Sequence, residues 1–245
     1  DNVRFFMGLN DQNVVYWLEA NGNYRSKSLQ LYAVPVDVSS QLKELFFDKK
    51  KSIILTSATL SVDKSFQFMI DNLGLNEAAE NDLLMTVLLP SPFHYREQAL
   101  LVIPRDFPSV KGSVGDARFV DTLVQSLAEA AVTTRGRMMV LFTSYRMLRQ
   151  VYDPLKEALS SQEITVLGQG IEGGSRSKLI RRFQDSSASV LLGTSSFWEG
   201  VDIPGEALTC LAIVRLPFQP PNHPLAEAKS ELLQSQKKNP FMMLS

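Results

Sequence analysis

The chain has one cysteine, Cys210, and two histidines, His94 and His223, in 245 residues. A single thiol excludes an internal disulfide, a thiolate zinc site and an iron–sulfur cluster built by this chain alone. Two histidines are too few for a histidine-rich metal centre. No apolar run approaches the roughly 18 residues a membrane span needs. The opening DNVRFFMGLN puts an acid where a signal peptide carries its basic region. These absences set the expectation of a soluble cytoplasmic protein with no membrane contact. No Gly-Lys pair occurs anywhere, so the phosphate loop G-x-x-x-x-G-K-[ST] is missing.

What is present supports a globular fold. Apolar residues make up 44%, enough for a substantial core, and net charge is −1, which excludes a uniformly basic nucleic-acid coat. Charge is uneven, however. Between Arg135 and Arg182 nine Lys/Arg face four Asp/Glu. Such a basic middle in a near-neutral chain fits either one face that meets an anion or a set of solvated helix faces.

The first 50 residues read as β-rich, with NVVYWLEA and SLQLYAVPVDV as strands, followed by a short helix in SSQLKELFFDKK. SIILTSATL reads as a buried strand ending in hydroxyls. DKSFQFMIDNLG reads as a helix closing on Gly74, SPFHYREQ as a loop and ALLVIP as a strand. A regular alternation follows. GDARFVDTLVQSLAEAAVTTRG sets Phe119, Leu123, Leu127 and Ala131 on one helical face. GRMMVLFTS, EITVLGQG, SVLLGTSS and LTCLAIVRLPF are strands. YRMLRQVYDPLKEALSS, SRSKLIRRFQD and PNHPLAEAKSELLQSQKK are helices. Apolar strands alternating with helices predict an α/β fold, a parallel sheet covered on both faces, with ligands at the carboxyl ends of its strands.

Gly168, Gly170 and Gly173 spell G-x-G-x-x-G. A dinucleotide cradle needs this motif in the first βα unit and an acid about 20 residues on, at the end of the next strand. Here the motif comes late, SVLLG ends without an acid, and the next helix carries Arg176, Lys178, Arg181 and Arg182. A glycine-rich turn leading into a basic helix suits a polynucleotide backbone better. The neighbouring loop, SVLLGTSSFWEGVDIPG, brings hydroxyls at Thr194, Ser195 and Ser196, aromatics at Phe197 and Trp198, and Asp202 between Gly200 and Gly205.

SFWEGVDIPG resembles helicase motif V of the DinG/XPD-like superfamily 2 DNA helicases. TSATL resembles motif III, LFTSYRML motif IV, and QGIEGGSR with LIRRF the strand–turn–helix that tracks a DNA backbone. VRLPF is similar to the segment after motif V. The resemblance covers about residues 30–245. It implies a RecA-like parallel sheet with helices on both faces, the second motor domain of a P-loop-type helicase. A β-rich lead-in over 1–60 precedes a motor domain over 61–245 that stops before motif VI. The phosphate loop and the acid box for Mg²⁺ would belong to a first RecA-like domain. The resemblance therefore implies ATP and Mg²⁺ in a parent helicase, with none bound and no ATP hydrolysed by this chain alone. Single-stranded DNA and the first domain of the same polypeptide are the implied partners, with a cytoplasmic, nucleoid-associated location.

The resemblance assigns Glu199, Gly200 and Asp202 to the ATP cleft, Asp202 toward the ribose. Asp202 as a turn acid capping its own backbone, and Glu199 as a loop-ordering or ion-pairing group, stay open. Ser144, Tyr145, Gln169, Gly170, Arg176, Thr194, Ser195, Ser196, Phe197 and Trp198 form the DNA side. Ser144 is equally suited to cap its helix, and Phe197 and Trp198 either stack on a base or anchor the loop in the core. Thr56, Ser57 and Thr59 are coupling residues, unless TSATL is simply a strand end. Cys210 reads as packing, and His223 carries no case for catalysis. Two other readings remain: a degenerate motor serving an attached 3'-5' exonuclease, and a non-catalytic nucleic-acid-binding domain.

Overall fold

A computed structural model of the chain describes residues 6–9, 11, 13–23, 26–109, 116–218, 223–235, 237 and 239–240. They fall into two compact units. One comprises Asp1–Leu100 with Gln219–Ser245, and the other Leu101–Phe218.

In the first unit, β1 (Val14–Asn23) and β2 (Ser26–Pro35) form an antiparallel hairpin that pairs Val14 with Pro35 and Leu18 with Leu31. Trp17 lies opposite Tyr32, and the rings stack with centroids 4.6 Å apart. Cross-strand aromatic pairs of this kind help fix register. Three short helices follow: α1 (Ser39–Leu45), α2 (Gln67–Leu73) and α3 (Asn76–Glu80). Gly74 ends α2 at φ 71°, as its sequence foretells. A four-residue helix, α4 (Tyr95–Gln98), occupies what the sequence reads as loop.

The second unit holds a four-stranded parallel sheet. Its strands are β3 (Met138–Leu141), β4 (Thr165–Gly168), β5 (Ser189–Gly193) and β6 (Cys210–Ile213), in the order β4-β5-β3-β6. Three helices accompany it: α5 (Ala117–Thr133), α6 (Tyr145–Ala158) and α7 (Arg176–Asp185). Each helix begins on a side-chain cap that satisfies an otherwise free amide. The Asp116, Ser144 and Ser175 oxygens accept from the amides of Arg118, Met147 and Lys178. A further helix, α8 (Pro224–Ser235), belongs to the first unit and packs on β1.

Period-two alternation along the strands splits the core. Met138, Val140, Val190 and Leu192 face α5 and α6, where Phe119, Leu123, Leu127, Leu148, Val151 and Leu155 are buried. Met139, Leu141, Leu167 and Leu191 face α7 through Leu179 and Phe183. Pro154 sits inside α6. An internal proline costs a helix about 3 kcal/mol. Leu148, Val151 and Leu155 are fully buried on the same helix. At about 1.5–3 kcal/mol per buried side chain, they outweigh the proline. Cys210 packs against this core, and burial pushes its thiol pKa up, in line with a packing role.

The parallel sheet between helices and the β-rich lead-in match expectation. Two strands do not form. Residues 52–57 and 99–104 form no strand, and Ile54, Leu100 and Leu101 are 92%, 88% and 84% exposed. Their composition is strand-like, but a strand persists only where a neighbour takes its backbone groups. No described strand lies beside either segment.

Candidate functional site

The loops leaving β3, β4 and β5 at their carboxyl ends meet in one place. Gln169, one residue beyond β4, bridges to the loop after β5. Its Oε1 accepts from the Thr194 amide at 2.7 Å and from the Thr194 hydroxyl at 2.9 Å. Its Nε2 donates to Ser196 Oγ at 2.8 Å. Arg176, the first residue of α7, ties the far side of the same loop. Nη2 donates to the carbonyls of Glu199, at 2.7 Å, and Gly200, at 2.6 Å. The Trp198 indole donates to the Phe142 carbonyl at the end of β3, at 3.2 Å. The glycine turn and the Trp198–Gly205 loop thus share one end of the sheet.

The turn needs its glycines. Gly170, Gly173 and Gly174 have φ of 71°, 69° and 104°, a region costly to residues with a Cβ. A brace behind the turn holds it to α6 and α7. The Tyr152 hydroxyl donates to Glu172 Oε1 at 2.7 Å, and Arg182 Nη2 meets Glu172 Oε2 at 2.8 Å. Burial, then the hydrogen bond to Glu172, raise the Tyr152 pKa from 10.0 to about 12. Sequence reasoning missed this brace. Its partners lie 20 and 10 residues apart, and no local pattern links them.

Several expected residues turn out to be engaged internally. Phe197 is 2% exposed in the core beside α7, with the Arg176 guanidinium 5.7 Å from its ring centre, so it anchors the loop and offers no face to a base. Trp198 is half-buried with its N–H taken, and packs on the same core. Thr194 is 2% exposed and its hydroxyl is spent on Gln169. Arg176 directs Nη2 at protein carbonyls. Ser144 caps α6.

Other residues remain open. Ser195, Ser196, Glu199, Gly200 and Asp202 are exposed, and Gly170 and Tyr145 border the turn. Among the described residues the Asp202 carboxylate caps no amide and joins no ion pair, nor does that of Glu199. Gly200 turns the loop at φ 63° between these two acids. Thr56, Ser57 and Thr59 lie in the other unit, exposed, with the Ser57 and Thr59 hydroxyls 3.1 Å apart. No group of three His, Cys, Asp or Glu able to hold a metal gathers among the described residues. No described helix is long and apolar enough to cross a membrane.

Comparison with known proteins bears on this geometry. The helicase C-terminal domain family matches residues 127–245. That span takes in the sheet, the glycine turn and the loop after β5. The chain is 40% identical over 242 residues to the 3'-5' exonuclease DinG of Bacillus subtilis, covering 99% of this chain and 25% of that protein. It is 34% identical over 233 residues to the ATP-dependent DNA helicase YoaA of Escherichia coli, covering 95% and 34%. It is 31% identical over 242 residues to the ATP-dependent helicase DinG of Mycobacterium tuberculosis, covering 98% and 34%. The chain is a DinG-like helicase C-terminal segment. Its parallel sheet is the RecA-like sheet of the helicase C-terminal domain. It spans about a quarter to a third of the length of these DinG-like relatives.

Proposed function

We propose that this chain is the second motor domain of an ATP-dependent DNA helicase. In this reading it supplies one wall of an ATP cleft and part of a single-stranded-DNA grip. The observation that carries it is the bonding of Gln169 and Arg176 across to the loop of residues 194–200. A ligand at the glycine turn and a ligand at the Glu199–Asp202 loop would then act on one connected piece of backbone. The relatives' names, ATP-dependent helicase among them, support the same reading.

On the nucleotide side Gly200 gives close backbone approach, and Asp202 offers a free carboxylate to ribose hydroxyls. Glu199 stands beside them. On the DNA side the donors are the hydroxyls of Ser195 and Ser196, the Ser144 hydroxyl proton and the Gly170 backbone. Contacts to phosphate carry little sequence information, so sequence preference is weak. Arg176, Phe197 and Thr194 shape this surface from beneath. Thr56, Ser57 and Thr59 couple nucleotide state to DNA. ATP turnover needs a phosphate-loop lysine, a metal-holding acid and an arginine finger together. This chain has no Gly-Lys loop, so it does not turn over ATP alone. Mg²⁺ and a first RecA-like domain complete the cleft in the parent protein, which acts in the cytoplasm on the chromosome.

Fluorescence anisotropy of a labelled single strand at two salt concentrations tests the grip. Weak binding that falls as salt rises is expected; salt-insensitive binding or none overturns it. In the parent protein, ATPase activity stimulated by single-stranded DNA is expected. One observation favours a second reading. The relative at 40% identity is named a 3'-5' exonuclease, so the motor could be degenerate and serve a nuclease. Strand degradation that needs metal but no ATP, without DNA-stimulated ATPase, would decide for it.

A further inference from the structure

The glycine turn has an open face and one tether at its middle. From Gly170 to Gly174 the chain reads G-I-E-G-G, so Glu172 is the one polar side chain within the turn. The amides of Gly170, Gly173 and Gly174 donate to no described acceptor. No atom stands within 4 Å of where a Cβ on Gly173 would lie. Glycine loses more backbone freedom on ordering than any other residue, so a turn this rich in it keeps one shape only if its surroundings hold it. Gln169 and Arg176 pin its two ends to the loop of residues 194–200. Glu172 supplies the hold between them. Its Oε1 accepts from the Tyr152 hydroxyl at 2.7 Å, and its Oε2 meets Arg182 Nη2 at 2.8 Å. Tyr152 is 4% exposed, and its ring lies against the start of the turn: a Cβ on Gly168 would stand 2.8 Å from that ring and 3.0 Å from the Ile171 side chain. The core therefore fixes the hydroxyl that Glu172 binds. In charge alone the arrangement disfavours an anion. A carboxylate repels phosphate, and Arg182, 42% exposed, spends its guanidinium on Glu172.

We infer that Glu172 is a positioning residue: held by Tyr152 and Arg182, it presets the glycine turn in the shape whose backbone donors take a phosphate of the single strand. Glu172 itself does not touch the strand. A turn already in its bound shape loses no further freedom on binding, and this pre-ordering is the gain. A plain counter-ion for Arg182 would account for the ion pair. It would not account for the second bond, to a phenol locked in the core. Geometry and charge thus act on strand affinity with opposite signs, which makes the two roles separable. The inference rests on the DNA-grip reading and deepens it by naming what fixes the gripping backbone.

The test uses the full chain and fluorescein-labelled oligothymidylate, read by anisotropy across salt concentration at a temperature below the melt of every variant. E172A removes a negative charge and frees the Arg182 guanidinium, so charge alone would tighten binding and steepen its salt dependence. Positioning has the opposite sign. Fixing the backbone of one residue is equivalent to about 5- to 30-fold in affinity, and E172A is expected to weaken binding by that factor. E172Q keeps an acceptor for the Tyr152 hydroxyl and is expected to recover most of the loss. Y152F keeps the ring against Gly168 and loses only the hydroxyl, and it is expected to weaken binding too. Y152F/E172A should bind no more weakly than E172A, because the two groups act as one brace. If E172A binds as tightly as wild type, or more tightly, the inference is overturned and the grip stands. An E172Q as weak as E172A, or losses that add in the double variant, overturn it as well. If wild type does not bind at low salt, grip and positioning fall together. Where E172A does not melt as a folded protein, Y152F decides: unchanged affinity overturns the inference.

Discussion

Gln169 carries three of the bonds that join the glycine turn to the loop after β5. Q169A strands the amide and hydroxyl of buried Thr194. A lost partner at such a site costs about 1–3 kcal/mol, and a fall in thermal midpoint of matching size is expected. Q169E keeps the acceptor for Thr194 and loses only the donor to Ser196, so it should fall between wild type and Q169A. Tyr152 gives a pH prediction. Its neutral phenol is favoured in the folded state, with a pKa raised from 10.0 to about 12. That contribution is complete below pH 10 and disappears as pH climbs toward 12. Y152F has no phenol to titrate, so its urea midpoint should change less than wild type between pH 9 and pH 11.5. Equal slopes would remove Tyr152 from the alkaline response. At this scale the sequence shows residue type and spacing but not prior engagement. Arg176 looks like a free cation and Phe197 like a stacking ring until the carbonyls and core that occupy them are seen.

Elements were more legible, because period and caps are local. All four parallel strands and the three helices beside them follow from apolar runs, helical spacing and Ser or Asp starts. Residues 52–57 and 99–104 failed for a non-local reason: strand composition is a property of a segment, whereas pairing is a property of two. Register adds a constraint invisible in sequence. A Cβ on Gly193 would stand 2.6–2.9 Å from the Phe197 side chain, against β5. Overpacking of this kind costs about 1–3 kcal/mol. G193A should lower the unfolding free energy by that amount, read as a fall in denaturant midpoint at unchanged slope, and G193A/F197L should recover part of it. No recovery would mean that strain elsewhere in β5 is responsible.

For the whole molecule, composition foretold a sizeable core and the resemblance foretold the RecA-like sheet. Neither foretold how much apolar surface stays uncovered. Ile54, Leu83, Met85, Leu89, Leu100 and Leu101 are each about four-fifths exposed or more. Large apolar patches promote association. The chain should bind a hydrophobic dye and scatter light increasingly with concentration. I54K/L83K/L101K should reduce both without lowering the melting midpoint, and an unchanged signal would place the sticky surface elsewhere. Arg176 closes the account at this scale. One nitrogen of its side chain grips two successive peptide oxygens that lie 23 and 24 positions further along the chain. Under the proposed motor reading this contact would act as a tie-rod, passing a displacement of one flank to the other without the strands between having to bend. Cutting it with R176A should loosen the Glu199–Gly200 end of the loop, while the Gln169 bonds to Thr194 and Ser196 still hold the other end to the glycine turn.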